Sequence, residues 1–197
     1  MSKYCRRGSF PGWQVLLRNL MYTAQLDKYN KPFSIRYPRG KAVINDWKRP
    51  FEEIEPGKAR LISEGKDIAV LRIGHPGNDV AAVVSRLQKD SISILHYDMR
   101  FAAPLDTEVL HFVFRNYKKI ITIEDGVLKG GFGSAVIEFM CDNVYIADVK
   151  RLGIPDYFVE QGTQEELYRE CGYGQEGIEK AIREMLSASP SKGAGGR

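Results

Sequence analysis

Long apolar runs are missing from these 197 residues. The longest reach four or five positions, as in Ala81-Ala82-Val83-Val84, so no helix of membrane-spanning length is expected. Met1-Ser2-Lys3-Tyr4-Cys5-Arg6-Arg7 does not lead into an apolar stretch of secretory type. Cysteine is scarce as well. Cys5, Cys141 and Cys171 are too few and too scattered for a disulfide framework, and they suit a reducing, cytoplasmic setting. Histidine is equally rare: His75, His96 and His111 lie far apart and no Cys-x-x-Cys occurs, so no metal site is expected. Cys141 and Cys171 have apolar helical surroundings and read as core residues rather than nucleophiles.

What is present describes a foldable chain, with 43% apolar and 27% charged residues. The net charge of +4 is unevenly spread, for residues 1–60 hold 13 Lys/Arg against 5 Asp/Glu and residues 61–197 hold 16 against 20. A basic N-terminal third fits nucleic acid, one anionic small ligand or a solvated face. Its cations form neither a run of five nor a helical stripe, so no nucleic-acid partner is expected.

The first twelve residues, with Gly8, Pro11 and Gly12, read as irregular. Trp13, Leu16, Leu17, Leu20, Met21 and Ala24 share one face of a 3.6-residue period, predicting an amphipathic helix over 13–27. Phe33-Ser34-Ile35-Arg36-Tyr37 alternates as a short strand stopped by Pro38-Arg39-Gly40, and 41–56 reads as a connector. Beyond Gly57 strands are predicted at 68–73, 92–98, 120–124 and 144–149. Helices fall near 80–87, 108–116 (with Asp106 or Thr107 as N-cap), 133–141, 163–171 and 175–186. Strands of continuous apolar character alternating with helices specify βαβ units, so the fold class is α/β, a three-layer α/β/α domain on a largely parallel sheet over about 57–187. The last ten residues, 188–197, offer nothing to bury and are expected to form a disordered tail.

Two glycine-rich turns invite a phosphate reading. Gly74-x-x-Gly77 follows a strand and Asp98 ends the next, imitating a dinucleotide fingerprint, but the third glycine is absent and Pro76 removes an amide. Gly130-Gly131-Phe132-Gly133 lacks a Lys-Ser/Thr pair and reads as a tight turn for close helix–sheet packing. Asp98, Glu124 and Asp125 stand at C-terminal strand ends, where ligands bind in open α/β sheets, although salt bridges to Arg100 or Lys129 explain them equally. In Arg36-Tyr37-Pro38-Arg39-Gly40 a guanidinium fork suits phosphate oxygens. An odd spacing in extended chain points Arg36 and Arg39 to opposite faces, so one of them reaches a ligand directly.

Several segments together resemble the 1-deoxy-D-xylulose-5-phosphate synthase family: Ser34–Gly40, Gly57-Lys58-Ala59-Arg60, Asp98–Asp106, Ile123-Glu124-Asp125-Gly126 with Gly130–Val136, and Leu152-Gly153-Ile154-Pro155-Asp156. The resemblance implies a thiamine diphosphate- and magnesium-dependent transferase of transketolase type. Such an enzyme decarboxylates pyruvate, joins the two-carbon unit to glyceraldehyde 3-phosphate, and feeds isoprenoid and thiamine biosynthesis as a homodimer. It implies a mixed five-stranded sheet, mostly parallel with one antiparallel edge. It also implies a division into 1–50, comprising a non-family N-terminus and the end of a pyrimidine-binding domain, and 51–187, a transketolase C-terminal-type domain. Arg39 matches the arginine that contacts the aldehyde's phosphate, with Arg36 and Tyr37 in support. Glu124 and its glycine turn become structural, and no catalytic, cofactor or metal residue is carried over. The family's diphosphate and metal motifs have no counterpart here, so the chain reads as a fragment inactive alone that works with its missing N-terminal domains. The alternatives are the C-terminal part of another transketolase-type enzyme, such as a 2-oxo acid dehydrogenase beta subunit, and a non-catalytic module that binds a nucleotide or a protein.

Overall fold

The continuous apolar runs become the inner strands of a sheet covered on both faces. The structure, a computed structural model, describes residues 3–6, 19–24, 26, 32–36 and 53–188. Its main sheet contains β3 (Arg60–Ser63), β4 (Ile68–Ile73), β5 (Ile94–Asp98), β7 (Lys119–Val127) and β8 (Asp148–Ile154), in the order β3-β5-β4-β7-β8. Strands β5, β4, β7 and β8 are mutually parallel, and β3 closes one edge antiparallel to β5. Every residue of β4 is buried, as a strand packed on two sides requires.

Helices α2 (Gly77–Lys89) and α6 (Gln175–Ser187) cover one face, where Val80, Val83 and Leu87 meet Ile68, Val70 and Ile94, and Ile178 and Ile182 join the same core. On the other face, α3 (Thr107–Asn116) and α4 (Phe132–Asp142) bring Leu110, Val113, Phe114 and Val136 against Ala69, Leu71 and Ile120. Each of the buried Val, Leu, Ile and Phe side chains contributes about 1.5–3 kcal/mol by leaving water. Helix α5 (Gln164–Glu170) is held by a full capping box, in which Thr163 and Glu166 satisfy each other's backbone N–H groups, and it packs on α6. The three-layer, mostly parallel five-stranded expectation is therefore met.

Four expectations need correction. Lys3–Arg6, read as irregular, forms strand β1, which pairs in parallel with β2 (Phe33–Arg36) and antiparallel with β6 (Phe101–Ala103). That pairing is tertiary and leaves no local pattern. The fourth parallel strand runs over Asp148–Ile154 rather than 144–149. Val144 and Ile146 are β-branched but 86% and 82% exposed, and the Val144 and Tyr145 N–H groups instead donate to the last turn of α4. Cys141 is exposed: it lies five residues past Val136, some 140° off the buried stripe, while Cys171 at the end of α5 is half-buried. In the predicted 13–27 helix, the described residues 19–24 are helical (α1); Leu20 is buried but Met21, the next position round, is 49% exposed. Residues 189–197, most of the expected tail, lie outside the described residues.

Candidate functional site

The chain reverses its winding at the C-terminal ends of β4 and β7. From β4 it passes through α2 to β5 on one side; from β5 it returns through α3 to β7 on the other. The two glycine turns that begin α2 and α4 flank this switch point, the usual ligand position of an open α/β sheet.

Each turn is filled by a charged side chain of the protein itself. At β7–α4 the Glu124 carboxylate accepts from the Phe132 N–H at 2.8 Å and the Gly133 N–H at 2.9 Å, capping α4 from within the sheet. A Cβ on Gly131 would stand 2.1 Å from the Val127 carbonyl oxygen and 2.3 Å from the Glu124 carboxylate, so glycine is required for the close approach. Lys129 pairs with Asp156. At β4–α2 the buried Arg72 guanidinium lies under Gly77, where a Cβ would come within 2.3 Å of Nη1, and it faces Asp98 at 3.2 Å. Asp98 is also 3.5 Å from Arg60 and accepts the Arg100 backbone N–H at 3.2 Å. The dinucleotide-like glycine therefore serves a guanidinium. His96, wholly buried on the same face, has neither ring nitrogen bonded. Burial, followed by the nearby Arg72 and Arg60, lowers its pKa to about 3.

A cleft of about 860 Å³ opens beside the switch point, between the start of α2 and the α5–α6 corner. The Tyr168 hydroxyl accepts from Gln164 Nε2 at 3.0 Å and meets His75 Nδ1 at 2.9 Å. With Gln164 as donor, the phenolic proton goes to Nδ1 and the imidazole proton stands on Nε2. Tyr173 stacks behind Tyr168, ring centroids 4.6 Å apart, with its hydroxyl 3.5 Å from Asp125. Burial pushes the Tyr168 and Tyr173 phenols up and the His75 imidazole down, the latter opposed by Asp125 and Asp79. Gln175 Nε2 donates to Asp79 at 2.9 Å. Sequence reasoning misses this group because His75 and Tyr168 are 93 residues apart; the one available signal is His75 inside the Gly74–Gly77 turn.

The sequence-predicted phosphate group lies elsewhere. Tyr37 and Arg39 fall outside the described residues, and Arg36 is described only as the last backbone position of β2. The path to that strand is described. Leu20, Ile54 and Phe101 form a small buried core on which Ile35 of β2 packs, and the Thr23 hydroxyl accepts the Ile54 N–H at 2.8 Å. Arg100, in the left-handed region at φ 53°, donates to the carbonyls of Lys58 at 2.9 Å and Ala59 at 3.0 Å. Asp106 caps α3 through Val109 and takes the Ala59 N–H at 2.7 Å. Arg100 thus clamps the segment that leads into β3.

Among the described residues no three His, Cys, Asp or Glu side chains gather as metal ligands. With the α4 amides taken by Glu124 and the Gly77 side taken by Arg72, neither turn fits a diphosphate and its metal. No described helix is long and apolar enough to cross a membrane.

Residues 57–178 match the family described as Transketolase, C-terminal domain. The chain is 57% identical over 169 residues to 1-deoxy-D-xylulose-5-phosphate synthase of Cytophaga hutchinsonii, a match covering 86% of this chain and 27% of that protein. It is 51% identical over 175 residues to the enzyme of the same name from Bacteroides thetaiotaomicron, covering 88% and 27%. The chain therefore spans about a quarter of the length of these curated relatives. Among solved structures, a split-gene transketolase described as an inactive β4 tetramer superposes with a TM-score of 0.75 at 22% identity, over 94% of this chain and 57% of the other. Transketolase from Campylobacter jejuni gives 0.58 at 14% identity, over 93% and 26%. Strand order, matched residues and sequence likeness converge, and the chain belongs to the transketolase C-terminal domain family.

Proposed function

We propose that this chain serves a 1-deoxy-D-xylulose-5-phosphate synthase. In that reading it is the C-terminal portion of a homodimeric transferase that condenses pyruvate with glyceraldehyde 3-phosphate. The observation that carries the reading is the 57% identity over 169 residues to an enzyme of that name. Residues 51–187 form the C-terminal module, and the preceding strand belongs to a pyrimidine-binding domain. Thiamine diphosphate and magnesium are held by other parts of the longer relatives. This chain's own contribution is to hold the aldehyde: Arg39 grips its phosphate with two parallel charge-assisted hydrogen bonds, Arg36 and Tyr37 supporting. The Leu20–Ile54–Phe101 core favours this role, because Ile35 of β2, the strand that leads toward Arg39 in sequence, packs on it.

The experiment replaces the matching segment of the Cytophaga hutchinsonii enzyme with this chain and measures condensation. The chimera is expected to be active. Arg39→Gln in it is expected to raise KM for glyceraldehyde 3-phosphate at least about tenfold with little change in KM for pyruvate, the loss of about 1.4 kcal/mol or more of uniform binding. A folded but inactive chimera, or pyruvate turnover by the isolated chain, overturns the proposal.

A further inference from the structure

Phe158 is 103% exposed, so its ring stands wholly in water. Tyr157 beside it is 56% exposed and Val127 50%. The three share one corner of the molecule. Val127 ends β7 and pairs in register with Ile154, the last residue of β8, and the Lys129–Asp156 ion pair ties together the two loops that follow. Single apolar residues are ordinary on a surface. Two adjacent aromatic rings with a valine at their foot are the kind of anchor that an interface buries.

The position of the corner selects what covers it. Strands β5, β4, β7 and β8 are parallel, so their C-terminal ends lie at one end of the sheet, and the corner stands just beyond two of them. At that same end the chain leaves β5 through Met99 and Arg100 and enters β6, which pairs with β1, and β1 pairs with β2. The small sheet is thus tethered at the end where Phe158 projects. From β5 to β8 is three strand spacings of about 4.8 Å, roughly 14 Å. A domain of only 100 residues, with a radius of gyration of about 13 Å, reaches across that gap.

The longer relatives carry such a body. The match covers 27% of the Cytophaga hutchinsonii protein and falls in a C-terminal domain family, so most of that protein precedes it. A second exposed apolar pair, Val144 and Ile146, lies ahead of β8 at the opposite end of the sheet, away from the tether.

On the reading of this chain as the C-terminal portion of a synthase, we propose that Tyr157 and Phe158 anchor it to the preceding portion of the same subunit. The Phe158 ring enters an apolar pocket of that portion, with Val127 at the rim.

The test compares the isolated full chain with the Cytophaga hutchinsonii chimera by hydroxyl-radical footprinting, and places a benzophenone amino acid at position 158 for photocrosslinking. In the isolated chain both rings are expected to oxidise freely at every concentration. In the chimera their oxidation is expected to fall to the level of Tyr173, which is 2% exposed within the chain itself. The crosslink, mapped by mass spectrometry, is expected to join position 158 to the preceding portion in a species of single-subunit mass. The same probe at position 146 is expected to give no such link. Phe158→Ser is expected to leave the melting temperature of the isolated chain unchanged and to re-expose Tyr157 in the chimera.

Free oxidation of both rings in the chimera overturns the proposal, as does an equal link from position 146 or a Tyr157 that stays protected in the variant. A crosslink of doubled subunit mass also overturns it, since the partner subunit is then the occupant. Concentration-dependent protection in the isolated chain overturns it in favour of a second copy. All of these are read on folded protein whether or not it condenses pyruvate, so this docking and the synthase reading can fail separately.

Discussion

The two turns that begin α2 and α4 look alike in sequence and are opposite in charge. At β7–α4 the helix amides receive a carboxylate, the sign that the helix N-terminus favours. At β4–α2 a guanidinium lies under the first turn, a sign the macrodipole opposes, and Asp98 sits against it. Both glycines allow a side chain, not a ligand, to approach the helix. A glycine-rich strand–helix turn thus signals close approach, and the approaching group decides whether it is a phosphate site. The first turn is self-satisfied by Glu124; the second depends on a buried ion pair.

That dependence gives the largest expected effect. Asp98→Ala strands the Arg72 charge in the interior and is expected to cost about 3–5 kcal/mol, read as a lowered urea midpoint. Replacing the pair together, as Arg72→Met with Asp98→Leu, is expected to recover most of that loss, because two buried desolvation penalties disappear at once. If the single and double variants are equally unstable, the cluster is held by packing and the contrast between the turns is lost.

His96 shares the cationic side of the comparison. Its pKa falls from 6.5 to about 3 through burial, with Arg72 and Arg60 adding to the shift. A folded-state value below the unfolded one means that the unfolded chain binds the proton first. The stability is fully present above pH 6.5 and is lost as pH falls toward 3. At pH 4.5 the loss is expected to be about 3 kcal/mol from this residue. His96→Leu, which also removes two unbonded buried nitrogens, is expected to be neutral or stabilising at pH 7 and to flatten the acid limb. Urea titrations at pH 7 and 4.5 separate the two; an unchanged acid limb contradicts the burial of a neutral imidazole.

How far the sequence discloses this depends on whether each signal is local. Ile68–Ile73 and Ile120–Ile123 read as strands because both faces are buried, so apolar character is continuous. The edge strand Asp148–Ile154 escapes that pattern because Asp148, Lys150 and Arg151 interrupt its apolar residues and all but Gly153 are half-buried, while apolar Val144 and Ile146 nearby stay exposed. Strands β1, β3 and β6 do not alternate over their three or four residues, unlike the equally short Phe33–Arg36. The Gly131 turn is legible as a tight one. Its cap is not, because the acceptor is not the preceding residue but Glu124, reaching eight and nine residues ahead from the strand. The role of Arg39 rests on resemblance to a family, and the cleft joins residues that only the α5–α6 corner brings together.

Glu124 offers the intermediate case. Glu124→Gln keeps the shape but exchanges a doubly accepting carboxylate for an amide whose NH₂ must face a helix N–H. Losing one charged hydrogen bond and creating a donor–donor contact is expected to cost about 2 kcal/mol. The loss should appear as faster amide exchange at Phe132 and Gly133 than elsewhere in α4. Uniform loosening of the whole domain would contradict a local cap.

The smallest effect discriminates conformational strain from contact. Gly130 has φ +65° and open space, with nothing within 4 Å of the place a Cβ would take, whereas a Cβ on Gly77 would meet Arg72 at 2.3 Å. Gly130→Ala is expected to cost about 1 kcal/mol, from the left-handed backbone alone. Gly77→Ala must displace a fully buried guanidinium and is expected to cost several times more, by about 3 kcal/mol or above. Melting temperatures of the two variants measure the ratio. Equal losses would mean that Arg72 moves aside freely, and the ion pair with Asp98 would then be too loose to explain why a glycine stands at position 77.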